Sequence, residues 1–188
     1  MYGMINEAVR KLVAENHGEA TWNSICAEAD IGESDFSSLQ TYPDEMTYKL
    51  VGAASKVLRV PAEQVLEIFG EYWTDYAQQT SFSRLLRFGG RSMEEFVRSL
   101  DQMHAKIKLS LPDLQPPSFR VTDMSPSGFR LHYFSKRAGL APLVKGMLKG
   151  VARIYGVTID MRLDRSRAEG HDHDEFVILY ATVAVAAE

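Results

Sequence analysis

A single cysteine, Cys26, stands among 188 residues. The chain can therefore form no internal disulfide and no cysteine-based zinc site. Within TWNSICAEA, Cys26 reads as a small buried hydrophobe on a helix. A basic surplus is also missing. Twenty-one Lys and Arg against 25 Asp and Glu give a formal net charge of -4, and the pI is near 5.8. The field needed for non-specific nucleic-acid binding is absent, so no nucleic-acid partner is expected. No stretch approaches the ~18 uninterrupted apolar residues that span a bilayer, so no membrane partner is expected either. The opening MYGMINEAVRKLVAENHG alternates apolar and charged residues and lacks the basic, apolar and small-residue segments of a signal peptide. The expected location is the cytoplasm.

Catalytic and nucleotide signatures are missing as well. There is no GxGxxG, no GxxxxGK, no GxSxG and no HExxH. Glu94 and Glu95 fall in the first turn of a predicted helix, where they complement its dipole and need no catalytic role. Nothing assembles a reaction, and the chain is not expected to be an enzyme.

What is present is a chain 45% hydrophobic and 24% charged, suited to one globular domain or two small subdomains sharing a core. Helical periodicity fills the first half. Met4, Ile5, Ala8, Val9 and Leu12 share one face of a first helix, which His17-Gly18 closes. TWNSICAEAD, PDEMTYKLVGAASKVLRV and PAEQVLEIFGEYWTDYAQQ follow as helices, the last with Pro61 at its first position. Gly89-Gly90 breaks the chain before SMEEFVRSLDQMHAKIKLS, where Ser92 and Glu95 form a capping box. After LPDLQPPSFR the period becomes alternating. SFRVTDM and FRLHYFSKR read as a hairpin turning at Gly128, APLVKGMLKGVARIYG as a helix ended by Gly156, and VTIDMRLDRS and EFVILYATV as two further strands. The fold class is α+β: helices, then an antiparallel sheet of about four strands with one helix inserted. The last residues, ATVAVAAE, form a small-residue tail that frays.

Two elements carry chemistry. On the helix SMEEFVRSLDQMHAKIKLS, the residues Met93, Phe96, Val97, Leu100, Met103, His104 and Ile107 form one apolar stripe with a histidine inside it. Such a histidine is more often a satisfied core residue than a ligand. On LHYFSKR, strand alternation sets Leu131, Tyr133, Ser135 and Arg137 on one face and His132, Phe134 and Lys136 on the other. The phenol, hydroxyl and guanidinium form a donor row suited to carboxylates. A single cofactor uses both features: haem, whose iron takes an imidazole and whose propionates are two carboxylates on one edge of an apolar disc. The competing view is a solvated sheet face with Arg137 in a surface ion pair worth under ~1 kcal/mol. His171 and His173 in GHDHDEF are expected in a solvated turn, pointing apart and without a third metal ligand, and His132 and His17 demand no function.

At these residues the chain resembles the H-NOX family, the haem nitric oxide/oxygen binding domains related to the haem domain of soluble guanylate cyclase. His104 matches the family's proximal histidine, and Tyr133, Ser135 and Arg137 match its propionate-binding Tyr-x-Ser-x-Arg motif. MYG, LVGAASKVL, FGEYW, LDQMH, PPSFR and the DH of the last hairpin resemble the family in order and spacing, from Met1 to about Tyr180, most closely its stand-alone bacterial, cyanobacterial-type members. The resemblance implies a single domain over 1–182, with a helical part of about 1–60 closing over haem, a haem-ligating part of about 61–182, and a tail at 183–188. It implies that His104 is the iron's protein ligand, that Pro117 presses on the porphyrin, and that Val9, Trp73 and Leu143 line the distal pocket. Leu143 takes the place of the distal tyrosine of oxygen-binding members. The cofactor implied is haem b, the ligands nitric oxide and carbon monoxide, and the partner a separate signalling protein such as a histidine kinase or a cyclic-di-GMP enzyme. The implied function is a haem-based gas sensor, working through release or movement of the His104 helix. The alternatives are a haem-handling or oxidant-responsive protein of the same fold, and a haem-free adaptor whose donor row binds a partner carboxylate. Asp101, three residues before His104, either orients the imidazole or faces solvent.

Overall fold

The computed structural model describes residues 1–32, 35–80, 83 and 89–181; the expected tail at 183–188 and the expected domain end at 182 lie outside them. Four helices come first: α1 (Gly3–His17), α2 (Glu19–Glu28), α3 (Asp44–Leu58) and α4 (Ala62–Gln78). They bury Ala8, Val9, Val13, Trp22, Ile25, Leu50, Ala53 and Phe69 in one apolar cluster. Cys26, 5% exposed on α2, belongs to it as expected. Gly18, at φ 84°, takes the backbone geometry that separates α1 from α2. Pro61 caps α4 from outside instead of occupying its first turn.

The second half begins with α5 (Met93–Ser110). Ser92 caps it by accepting from the Glu95 amide at 3.3 Å, while the Glu95 carboxylate reaches back one residue further than expected, to the Arg91 amide at 2.8 Å. The strands β1 (Ser118–Ser125) and β2 (Gly128–Phe134) form the predicted hairpin, α6 (Ala141–Ile154) follows, and β3 (Ile159–Arg165) and β4 (Asp174–Tyr180) complete an antiparallel sheet in the order β1-β2-β4-β3. Alternation along β2 sends Phe129, Leu131 and Tyr133 into a second apolar cluster with Met93, Phe96 and Val97 of α5 and Val144 and Leu148 of α6. The opposite face of the sheet carries Arg130, His132 and Phe134.

The two clusters meet where α4 crosses α6. A Cβ on Gly146 would lie 1.9 Å from the Glu67 carbonyl oxygen, and one on Gly70 would lie 2.3 Å from the Leu143 carbonyl. Backbone therefore packs on backbone at this crossing. Lys145 and Lys149 pair with Glu67, and Arg153 with Asp75, along its rim.

Candidate cofactor site

His104 lies on α5 with its ring against Phe119 of β1, at 6.1 Å between centroids, and Phe119 lies 5.5 Å from Tyr133 of β2. Three aromatic rings thus run from the helix to the sheet. The Nδ1 of His104 is buried and has no hydrogen-bond partner. Burial pushes the imidazole below its ordinary pKa, opposed by the Asp101 carboxylate and by the Pro117 carbonyl, which approaches without completing a bond. A neutral ring with an unsatisfied nitrogen is costly unless something completes it.

Asp101 does not turn to the imidazole. Its Oδ2 accepts from the Ser118 hydroxyl at 2.6 Å and its Oδ1 from the Phe119 amide at 2.8 Å. The helix that carries His104 is therefore tied to the first strand one turn away.

The donor row takes a different course from the one alternation predicts. Strand β2 ends at Phe134, so only Tyr133 of the three is held by sheet pairing. Tyr133 is 3% exposed, and burial raises its phenol's pKa, with Ser135 partly offsetting this. Ser135 and Arg137 lie in the following bend, where the Ser135 hydroxyl accepts from the Arg137 amide at 3.1 Å. The Arg137 guanidinium donates to both carboxylate oxygens of Asp44 on α3, at 2.7 and 3.1 Å, and to the Gln115 carbonyl at 2.8 Å. Burial acts to raise the Asp44 pKa, but the hydrogen bonds and charge of Arg137, with the chain's α-amino group, hold it below the usual value. Arg167 fixes the bend from behind by donating to the Ser135 carbonyl at 2.6 Å and the Arg137 carbonyl at 3.2 Å. Asp44, Gln115 and Arg167 were missed in the sequence, because each meets the motif only through a long-range contact.

Val9 and Leu143 line one cavity of about 40 Å³, with Ile5, Leu66, Phe69 and Leu140. Its polar neighbours are already engaged: the Thr47 hydroxyl donates to the Asn6 side-chain oxygen at 2.7 Å, and the Tyr48 hydroxyl to the Ala138 carbonyl at 3.0 Å. Trp73 is not among the lining residues; its ring packs on Phe69 and Tyr76.

The expectation that His173 has no metal-ligating neighbours is corrected by the tertiary structure. His132 of β2 meets His173, which does not stand alone in the turn. Their Nδ1 and Nε2 atoms lie 2.8 Å from each other, beside Glu175. The register that pairs β2 with β4 brings them together, and no local spacing encodes it.

Comparison with known proteins places this architecture. A family model described as haem-NO-binding matches residues 2–163. The soluble guanylate cyclase gcy-35 of Caenorhabditis elegans is 33% identical over 95% of this chain and 27% of its own length, and gcy-32 of the same organism is 34% identical over 86% and 24%. The chain thus spans about a quarter of the length of these curated relatives. Among solved structures, an H-NOX protein from S. oneidensis in the Fe(II)NO ligation state superposes with a TM-score of 0.86 at 19% identity, covering 97% of this chain and all of that one. Unliganded Fe(II) H-NOX protein from K. algicida gives 0.84 at 18% identity. With helices packed against a four-stranded antiparallel sheet in this arrangement, and with the family model matched along most of its length, the chain belongs to the haem-NO-binding, or H-NOX, family of gas-sensor domains.

Proposed function

We propose that residues 1–182 form one domain that binds haem b and senses nitric oxide, with carbon monoxide as a second ligand. A helical part of about 1–60 would close over a haem-ligating part of about 61–182. The observation that carries this is His104: a half-buried imidazole whose Nδ1 is buried and unpartnered, at the end of an aromatic row leading to Tyr133, in a chain of the haem-NO-binding family.

The residues present fit the group. His104 would hold the iron, Tyr133, Ser135 and Arg137 would hold the propionates, Pro117 would bear on the macrocycle, and Val9, Trp73 and Leu143 would stand on the gas side. Ferrous haem, when bound, supplies an open position for a diatomic gas. The chain's own residues supply the switch. Asp101 ties α5 to β1 by two hydrogen bonds, so a displacement of the His104 helix pulls on the first strand. Arg137 has a second partner in Asp44, so a propionate competes with α3 for the same guanidinium. A two-state element biased at both points can pass a signal to a separate protein, such as a histidine kinase or a cyclic-di-GMP enzyme. On this reading the domain regulates and does not catalyse.

The test is spectroscopic. Purified protein is expected to carry a strong Soret band. His104→Gly is expected to lose the five-coordinate ferrous spectrum and regain it with added imidazole. A wild-type spectrum in His104→Gly without imidazole would overturn the ligand assignment. A protein that takes up no haem would return the donor row to the haem-free adaptor.

A further inference from the structure

On the face of the sheet away from the apolar core, His132 of β2 stands directly opposite Glu175 of β4 in the pairing register. His173, two residues before Glu175, shares its side of the chain by the period of two. The result is a cluster of two imidazoles and a carboxylate whose ligand atoms all lie within 4.8 Å of one another. We propose that His132, His173 and Glu175 form a site for a divalent cation of borderline softness, zinc foremost, separate from the His104 site and independent of the haem reading.

The inner nitrogens, His132 Nδ1 and His173 Nε2, are 2.8 Å apart, and Glu175 Oε2 is 3.7 Å from His132 Nδ1. A tetrahedral zinc with bonds of about 2.0–2.1 Å places its ligand atoms about 3.3–3.4 Å apart. The pair of rings must open by about half an ångström, and the carboxylate must close by less than that on His132 and by up to about 1.4 Å on His173, by rotation about side-chain torsions. Two histidines and one glutamate are a known zinc donor set, leaving a fourth position to water.

The outer nitrogens are already held. His173 Nδ1 meets the Asp172 carboxylate at 2.6 Å, and His132 Nε2 meets the Thr122 hydroxyl at 2.9 Å. Metal-binding histidines characteristically carry such an oxygen partner on the far nitrogen, which fixes the ring and turns the other nitrogen inward. Phe134 stacks on His173 at 4.3 Å and shields one side. Glu175 is 5% exposed, and although Arg130 bonds its Oε1, its Oε2 accepts no hydrogen bond among the described residues. Arg165 lies 4.0 Å from that oxygen. A buried carboxylate oxygen aimed at two inward nitrogens is the arrangement a cation completes.

The same atoms admit one closed alternative: Thr122 donates to His132, His132 to His173, and His173 to Asp172, with no cation. Untagged protein as purified, treated with a chelator and then titrated with zinc chloride against a chromophoric competitor, separates the two. One zinc per chain is expected, with magnesium failing to compete because it prefers oxygen ligands. His132→Gln and His173→Gln should each weaken zinc by at least a hundredfold, and Asp172→Asn by ten- to a hundredfold. His171→Gln, in the exposed turn, should leave it unchanged. X-ray absorption of the zinc-loaded protein should show two imidazoles in a four-coordinate shell. The proposal fails if zinc binds at less than one equivalent, or if His173→Gln, which lies outside the strands and so spares the sheet, binds zinc as the native chain does. It also fails if His171→Gln loses zinc equally.

Discussion

The helical first half and the mixed second half both leave a buried nitrogen without a partner, and the two nitrogens differ in what they can bind. Inside the α1–α4 cluster, Asn6 and Thr47 are buried side by side, the Thr47 hydroxyl donating to the Asn6 side-chain oxygen while the Asn6 side-chain nitrogen has no partner, and charges such as Arg10 with Glu19 and Lys56 with Glu28 pair at the surface. In the second half, His104 keeps an unpartnered nitrogen, Tyr133 is buried across Phe119 from it, Glu175 is buried on the back of the sheet, and Arg137 leans on a carboxylate from the other half. The orphan of the first half is an amide nitrogen that only donates, whereas that of the second is an imidazole nitrogen that can ligate a metal. The cost of leaving an imidazole nitrogen unpartnered is one that a ligand can relieve.

The crossing of α4 on α6 joins the halves, and breaking it should have the largest effect. Gly146→Ala drives a methyl group to within 1.9 Å of the Glu67 carbonyl oxygen, which belongs to backbone and cannot swing aside. Overpacking of this kind costs about 1–3 kcal/mol or more, and the denaturant midpoint should fall accordingly. If Gly146→Ala unfolds like the native chain, the two halves are not joined there.

Next comes the site itself. Arg137→Ala should speed haem loss far more than Lys136→Ala, because only Arg137 can form a two-pronged pair with a carboxylate. A partly desolvated charge-assisted pair is worth about 1.5–3 kcal/mol. Equal rates of haem transfer to an acceptor from the two variants would undercut the propionate assignment.

The gas side offers a smaller change of the opposite sign. With Val9 and Leu143 apolar, reduced protein is expected to bind nitric oxide and carbon monoxide and to form no stable oxygen complex in air. Leu143→Tyr adds a donor and should gain some oxygen affinity, held back because a cavity of about 40 Å³ must widen to admit the phenol. A persistent oxygenated spectrum in the native protein, lost in Trp73→Phe, would show instead that the Trp73 indole supplies the donor.

The smallest effect concerns Asp44. Its carboxyl is held below the ordinary value in the folded protein, so its contribution is complete above the unfolded pKa and is lost as the pH falls through the folded one. At a third exposed, the pair should be worth under ~1 kcal/mol. Asp44→Asn should flatten the acid limb of the stability curve slightly while leaving Arg137 freer for a propionate. An acid limb of unchanged slope would mean that the two halves do not communicate through this pair.

The sequence by itself determined the elements and their order. Helical spacing in the first half, alternation after Pro117, the glycine turn at Gly128 and the cap at Ser92 are written in neighbouring residues, and each formed within a few positions of where the pattern puts it. It also singled out His104 and Tyr133, since a histidine in an apolar stripe and a phenol in a row of donors on one strand face are local anomalies. Tertiary structure alone decided the rest. It ended β2 at Phe134, so that the direction of Arg137 came from Asp44 and Gln115 and the shape of its bend from Arg167, not from strand alternation. It turned Asp101 toward β1 and away from the imidazole. It brought His132 to His173 and Glu175 through the register of two strands more than forty residues apart. The physical reason is the same in each case: a local pattern fixes which face a side chain takes, whereas its partner is fixed by how distant faces come to be buried together.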